Sequence, residues 1–139
     1  HFRVWASRKG RKQIEAVRAH GVSTLSPANR PLEVADALRR SDLVLTSSLH
    51  GVITCHALGI PVIRASFGNA VDEDAEFKYQ DHAMSLNLTV PRLDIADFLR
   101  SGVPQEARER ARAIAEISAA GCEQLATLLL QAFSQVNGA

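Results

Sequence analysis

The passage from an apolar run into a polar triplet constrains the fold of this chain more than any other feature. Leu43-Val44-Leu45 is continuously apolar and is followed at once by Thr46-Ser47-Ser48. Such a run is typical of a strand buried on both faces of a parallel sheet. The apolar residues that come next recur at helical spacing: Leu49, Val52, Ile53, Ala57 and Leu58. The pattern predicts a strand, a turn and a helix, with Ser47 or Ser48 as the N-cap and Gly59 at the end.

The same alternation of strand and helix patterns continues along the chain. The expected strands are residues 22–25, 43–45, 61–65 and 88–90. The expected helices are residues 14–20, 31–40, 49–58, 76–86, 93–100 and 104–136. Alternation of this kind implies right-handed crossovers and a mostly parallel sheet flanked by helices. We therefore predict an α/β fold, namely a single three-layer Rossmann-like domain over residues 1–139.

The predicted last helix, at about residues 104–136, has a distinctive stripe of small and apolar side chains. Its members are Ala107, Ala111, Ile114, Ser118, Gly121, Leu125, Leu128 and Ala132. A one-sided stripe of this kind indicates a helix that packs its small-residue face on another element.

Composition excludes several classes of protein. The chain has 139 residues, of which 46% are hydrophobic, and a net charge of +1, which disfavours nucleic acid as a partner. Its two cysteines, Cys55 and Cys122, form no C-x-x-C pair, so no zinc site or disulfide framework is indicated. We find no apolar run long enough for a membrane span and no signal peptide, and expect a cytoplasmic protein. The start at His1 resembles the interior of a domain, which predicts a fragment of a two-domain protein.

The turn after the 43–45 strand is the expected ligand site, because open α/β sheets bind ligands beyond the carboxyl ends of their strands. The first N–H groups of the following helix favour an anion. Ser47 and Ser48 can donate to its oxygens, Gly51 allows close approach to the backbone, and His50 adds a titratable group. The alternative, from residue types alone, is an ordinary serine N-cap beside a surface histidine.

Residues 41–53 and 57–63, with Ser47-Ser48-Leu49-His50-Gly51 at their centre, closely resemble the polysaccharide pyruvyltransferase family. Phe77-Lys78-Tyr79-Gln80-Asp81-His82 resembles a second block of that family. The resemblance implies the carboxyl-terminal half of a two-domain, GT-B-like transferase. It also implies transfer of pyruvate from phosphoenolpyruvate to a sugar of an exopolysaccharide or cell-surface glycan, with formation of a ketal and with no metal or other cofactor.

The implied reaction needs an acid, a base and contacts for the donor anion. His50 is the expected general acid and Asp81 the residue that orients or deprotonates the acceptor. Donor oxygens would be held at the turn by Ser47, Ser48, Leu49 and Gly51.

Two departures from the family pattern affect this assignment. Ser48 stands where several members carry arginine, so another cation is expected to serve, namely Lys78, with Arg64 in reserve. His82 replaces a tyrosine of the second block.

The implied partners are phosphoenolpyruvate, a lipid-linked oligosaccharide or glycan acceptor, and an amino-terminal domain. Without that domain an apolar surface would be exposed, and a second copy of the chain could bind there. The inner face of the membrane is a further expected location.

Two other functions compete with this one. A sugar-nucleotide glycosyltransferase would share the fold class, and the D-x-D spacing of Asp72-Glu73-Asp74 could hold its metal, although such triplets are mostly solvated. A non-catalytic interaction module would use the stripe of the last helix and expose an apolar patch. The basic residues between Arg8 and Lys12 are interpreted as a solvated helix face, and Cys55 and His56 as core.

Overall fold

The computed structural model describes residues 7–26, 28–67 and 73–137. Its strands are β1 (Val44–Thr46), β2 (Val62–Ser66) and β3 (Arg92–Asp94). Its helices are α1 (Arg8–Ala19), α2 (Pro31–Arg39), α3 (Leu49–Ala57), α4 (Glu73–Ser85), α5 (Ile95–Ser101) and α6 (Gln105–Asn137).

The three strands form a small open sheet in the order β1-β2-β3, and both pairs are parallel. Thr46 lies beside Arg64, and Arg64 lies beside Arg92. The predicted α/β class and parallel sheet are confirmed. Because the strands are parallel, their carboxyl ends meet at one edge, where the turn after β1 also lies.

Helices cover both faces of the sheet. On one face Ile63, Ala65 and Leu93 pack with residues of α1, α5 and α6. On the other face Val62 packs with residues of α2, α3 and α4. Successive strand residues point to opposite faces, which is why neighbours such as Val62 and Ile63 belong to different clusters. The described elements therefore form a helical layer on each side of the sheet.

Glycine and asparagine end two of the helices with the same motif. After α3, the N–H of Gly59 bonds to the His56 carbonyl and the N–H of Ile60 to that of Cys55. Gly59 has φ +65°, which places it in the left-handed conformation that this Schellman motif needs. The predicted stop at Gly59 is confirmed, and it directs the chain straight into β2.

Two predicted strands are wrong. Residues 22–25 form no strand, although Val22 packs against the cluster around Ile63. Residues 88–90 are also irregular, because the N–H of Leu88 bonds to the carbonyl of Ala83 and so closes the end of α4. Asn87, at φ +52°, takes the left-handed position of that motif. Pairing with β2 therefore starts only at Pro91, whose carbonyl accepts from Arg64.

The amino-terminal half of α6 packs where the stripe predicts. Ala111, Ile114, Ala115 and Ser118 are buried. Ser118 Oγ donates to the carbonyl of His56 at 3.1 Å. Beyond this region Leu128, Leu129 and Leu130 are 53%, 59% and 71% exposed. The stripe thus describes the packed half of the helix and does not extend to its carboxyl-terminal half.

Within the part of the chain that the structure describes, α6 is long and apolar enough to cross a membrane by length and composition. The helix segment is Gln105–Gln131, and its most apolar 18-residue window has mean hydropathy 1.3 and is 17% buried inside the fold. The sequence-based expectation concerned an uninterrupted apolar run, whereas this helix has charged residues among its apolar ones, and the location of the protein stays a prediction. The finding is weak evidence, since core helices of soluble proteins meet the same criteria.

Cysteine reactivity provides a direct test of this packing. Cys55 is fully buried, and burial raises the pKa of its thiol to about 12. Cys122 is half-buried, and burial raises its thiol pKa as well. We expect a thiol reagent at pH 8 to modify Cys122 in the native protein and Cys55 only after denaturation, because the thiolate is the reactive form. The variant Cys122→Ala keeps only Cys55, and Cys55→Ala keeps only Cys122. Equal rates of thiol modification in the two native variants would contradict the packing of α3.

Candidate functional site

Local hydrogen bonds fix the turn between β1 and α3. The N–H of Ser48 donates to Thr46 Oγ1 at 3.1 Å. Ser48 Oγ accepts from the N–H of Gly51 at 3.4 Å, which makes Ser48 the N-cap of α3. The amides of Leu49 and His50 are the first two of the helix, and helix geometry provides them with no acceptor inside it. This end of α3 therefore has the donor groups and the dipole direction that suit an anion.

Gly51 is required by packing within the turn. A Cβ at this position would lie 2.6 Å from Thr46 Oγ1 and 3.2 Å from Thr46 Cγ2. Real Cβ atoms do not come that close to another heavy atom, so any side chain at position 51 must displace Thr46. The predicted role of Gly51, close approach of a ligand, stays a prediction. The structure adds a reason for glycine at this position that involves no ligand, namely the contact with Thr46.

A double-mutant cycle tests this contact. We expect Gly51→Ala to lower the free energy of unfolding by about 1–3 kcal/mol, because it overpacks the turn. In a Thr46→Gly background the side chain that meets the new Cβ is absent, so the added cost of Gly51→Ala should be much smaller. Urea unfolding of the four proteins measures the coupling. Strict additivity of the two changes would contradict the contact.

Charged residues from three elements meet at the edge of the sheet where β1 ends, because Arg64 lies beside Thr46, the last residue of β1, and Arg92 lies beside Arg64. Arg64 Nη1 of β2 pairs with Glu76 Oε2 of α4 at 2.7 Å. Arg92 Nη1 of β3 lies 3.9 Å from the same carboxylate oxygen. The Arg64 side chain is 13% exposed, so this pair is more strongly coupled than an ordinary surface ion pair. Two arginines share one carboxylate, which leaves the group with a net positive charge.

Tyr79 of α4 joins this charged group to the turn. Its ring carries the Arg64 guanidinium at 3.8 Å from the ring centroid, a cation–π contact. Its hydroxyl donates to the backbone carbonyl of Ser47 at 2.9 Å. Burial raises the pKa of Tyr79, and the nearby Arg64 charge partly offsets that rise. Tyr79 therefore stays a neutral hydrogen-bond donor at physiological pH.

The predicted site residues divide into two groups. Ser47, Ser48 and Arg64 are connected through Tyr79 and the cap. His50 is exposed in the first turn of α3, next to the cap. Leu49 packs its partly buried side chain against the cluster around Val62, so its backbone N–H is the group that it offers to an anion.

Lys78 and Asp81 lie on the exposed surface of α4. Successive residues of a helix are rotated by about 100°, so Asp81 is about 200° from Tyr79 around the axis. Tyr79 faces the core, and Asp81 therefore faces away from it. The roles proposed for Lys78, Asp81 and the other predicted residues stay predictions. Of the two expected cations, Arg64 is the one that contacts Tyr79.

Sequence reasoning missed three residues at this edge, namely Glu76, Tyr79 and Arg92. Tyr79 stood inside the second block but was given no role. Glu76 and Arg92 carried no motif. Arg92 becomes visible only from the strand register that places it beside Arg64.

A histidine pair lies elsewhere on α3 and α4. His56 is fully buried, which confirms its interpretation as a core residue. Its Nδ1 lies 2.9 Å from His82 Nε2. Burial lowers the pKa of His56 to about 4, with a further contribution from His82. Burial also lowers the pKa of His82, and Asp81 opposes this shift. His82 is thus engaged with α3.

No group of three or more potential metal ligands occurs among residues 7–26, 28–67 and 73–137. Asp72 lies outside the described residues, and Glu73 and Asp74 stand at the start of α4.

Comparison with known families adds to this geometry. The model of the polysaccharide pyruvyl transferase family matches residues 1–67, which confirms the resemblance predicted from the Leu-His-Gly segment. The match includes the amino-terminal part of the chain and ends before residues 77–82, so the second block stays a prediction. Searches of curated proteins and of solved structures found no match. The likeness to a GT-B transferase also stays a prediction.

Proposed function

On the premise of this family match, we propose that the chain provides the donor site of a polysaccharide pyruvyltransferase. The family implies a transferase that acts in polysaccharide pyruvyl transfer. In the proposed reaction a pyruvyl group moves from phosphoenolpyruvate to a sugar of an exopolysaccharide or cell-surface glycan and forms a ketal. The proposal rests mainly on the family's Leu-His-Gly segment lying at the beginning of α3, with Arg64 linked to the same turn through Tyr79.

Phosphoenolpyruvate carries a phosphate and a carboxylate, and the two parts of the site suit two anionic groups. The amides of Leu49 and His50 offer donors at the positive end of the α3 dipole. Arg64 offers a guanidinium at the same edge of the sheet. An arginine has five N–H donors, so its bond to Glu76 through Nη1 is compatible with a bound anion. Ser47, Ser48 and Gly51 complete the proposed donor contacts at the turn, and Lys78 of α4 is a second cation.

The proposed chemistry needs an acid and a base. His50 protonates the methylene carbon of phosphoenolpyruvate, which leaves an oxocarbenium-like centre on the adjacent carbon. A sugar hydroxyl attacks that carbon and gives up its proton, which Asp81, the predicted base on the side of α4 away from Tyr79, would receive through water. The C–O bond to phosphate then breaks, a second hydroxyl of the sugar closes the ketal and returns a proton to His50, and phosphate leaves with the proton of the first hydroxyl. Arg64 and the α3 amides stabilise the charge on the departing phosphate.

The acceptor in this proposal is a lipid-linked oligosaccharide or glycan, and an amino-terminal domain supplies its contacts. We place the reaction in the cytoplasm or peripherally at the inner face of the membrane, where such acceptors are available. The proposal requires no metal or other cofactor.

An interaction module remains a second candidate, because one observation favours it. Ile117, Leu128, Leu129 and Leu130 of α6 are all more than half exposed. Such a surface suits contact with another domain or a second copy of the chain. One protein can have both the proposed donor site and an interaction surface on α6.

Calorimetry with phosphoenolpyruvate and a uridine-diphosphate sugar distinguishes the candidates. We expect phosphoenolpyruvate to bind and the sugar nucleotide not to compete, with Lys78→Ala and Arg64→Gln each weakening binding by about tenfold through loss of a charged contact. Arg39→Gln, which alters an exposed arginine of α2, is the control. Binding of the sugar nucleotide alone would indicate a glycosyltransferase. Binding of neither would leave the interaction module.

A further inference from the structure

We propose that Tyr79 is a positioning residue that fixes the orientation of the peptide group between Ser47 and Ser48 for binding of the donor anion. This inference rests on the proposed function for its ligand, and on the described contacts for its geometry. Tyr79 is only 8% exposed and belongs to the core cluster on its side of the sheet. Its hydroxyl nevertheless reaches the backbone of the turn.

Both polar ends of this one peptide group are held by side-chain hydroxyls. The carbonyl of Ser47 accepts from Tyr79 at 2.9 Å. The N–H of Ser48 donates to Thr46 Oγ1 at 3.1 Å. In a trans peptide the C=O and N–H point in opposite directions, so the two bonds fix a single orientation of the plane.

This orientation matters for an anion at the start of α3. A carbonyl oxygen carries partial negative charge, and rotation of this peptide group would turn it away from Tyr79 and change the field at the neighbouring amides of Leu49 and His50. While Tyr79 engages the Ser47 oxygen, that oxygen is kept from approaching and repelling the ligand. The ring of Tyr79 also holds the Arg64 guanidinium 3.8 Å from its centroid. One side chain thus positions both an anion-binding helix end and a cation.

The variant Tyr79→Phe isolates the hydroxyl, because phenylalanine fills the same core space and keeps an aromatic face under Arg64. Ser118→Ala is a matched control. It also deletes a buried hydroxyl that donates to a backbone carbonyl of α3, but at His56, in the last turn of the helix. A purely structural role for Tyr79 predicts that the two variants lose similar stability and bind phosphoenolpyruvate equally well.

Two measurements decide the inference. Amide hydrogen exchange without ligand reports on the turn directly. We expect faster exchange at Ser48, whose N–H donates to Thr46 Oγ1, in Tyr79→Phe and unchanged exchange there in Ser118→Ala. Calorimetry reports the consequence, and we expect the dissociation constant for phosphoenolpyruvate to rise about tenfold in Tyr79→Phe only.

Unchanged exchange at the turn in Tyr79→Phe would overturn the inference, whatever the ligand result. Faster exchange with an unchanged dissociation constant would also overturn it, because the turn would then move without affecting the donor. If the wild-type chain fails to bind phosphoenolpyruvate, the proposed function and the donor-positioning role fall together. Faster exchange would then still establish that Tyr79 holds the turn, which separates the two failures.

Discussion

Replacing His50 by alanine is expected to lower turnover by roughly 10²–10⁴-fold, the usual contribution of a positioned general acid. His50 is exposed in the first turn of α3, directly after the Ser48 cap. Alanine has high helix propensity, so the variant should fold normally. Donor affinity should fall much less than turnover, because the first-turn amides remain in place. Phosphate release from phosphoenolpyruvate in the presence of a glycan acceptor measures the rate, and calorimetry measures donor affinity.

His20→Ala is the matched control, since it also removes an exposed histidine at a helix end. His20 lies at the carboxyl end of α1 beside Phe98, with the other helical layer. The control should keep full turnover. His50→Gln should behave like His50→Ala, because glutamine can accept and donate hydrogen bonds but supplies no acidic proton. Full activity in either His50 variant would remove this residue from the proposed mechanism.

Acid is expected to destabilise the fold through His56. The side chain is 0% exposed, and its Nε2 has no hydrogen-bond partner among the described residues. Burial is the larger cause, and repulsion by His82 the smaller, of a pKa lowered from 6.5 to about 4. The neutral imidazole is therefore the form that the core accepts.

The sign of the pH effect follows from proton linkage. Between pH 6.5 and about 4 the unfolded chain binds a proton at His56 that the folded chain does not. Stability is therefore retained in full above pH 6.5 and is lost progressively as the pH falls towards 4. A complete shift of this size corresponds to roughly 3 kcal/mol, a large part of the stability of a small domain. His82, whose pKa burial also lowers, acts in the same direction.

Urea unfolding between pH 7 and 5 tests this prediction, in a range where most carboxylates are still ionised. His56→Asn removes the titration and keeps a side-chain amide that can bond to His82. This variant should be less stable at pH 7 but should lose much less stability on acidification. His20→Asn, at an exposed histidine, should keep the wild-type slope. An equal pH slope in wild type and His56→Asn would contradict the assignment.

Much of the fold was predictable because it follows from local pattern. The apolar run at residues 43–45, the serine cap and Gly59 each act within a few residues, through burial, a side-chain hydrogen bond and a left-handed backbone. The strands expected at residues 22–25 and 88–90 do not form, because local pattern alone does not decide whether a segment joins the sheet. Their apolar residues are compatible with a strand. In the fold, however, Val22 packs against the core without strand pairing, and the N–H of Leu88 bonds to Ala83 at the end of α4.

The candidate site divides in the same way. The sequence by itself determined the α/β class, the turn after β1, the Ser48 cap and the family resemblance, because residues adjacent in the chain carry all of these. Only the tertiary structure decided that Tyr79 joins Arg64 to the Ser47 carbonyl, that Arg92 and Arg64 share Glu76, and that His56 contacts His82. These contacts join residues on different elements, and their partners are set by strand register and helix rotation. Local spacing carries no information about either, since both arise when the helical layers pack on the sheet.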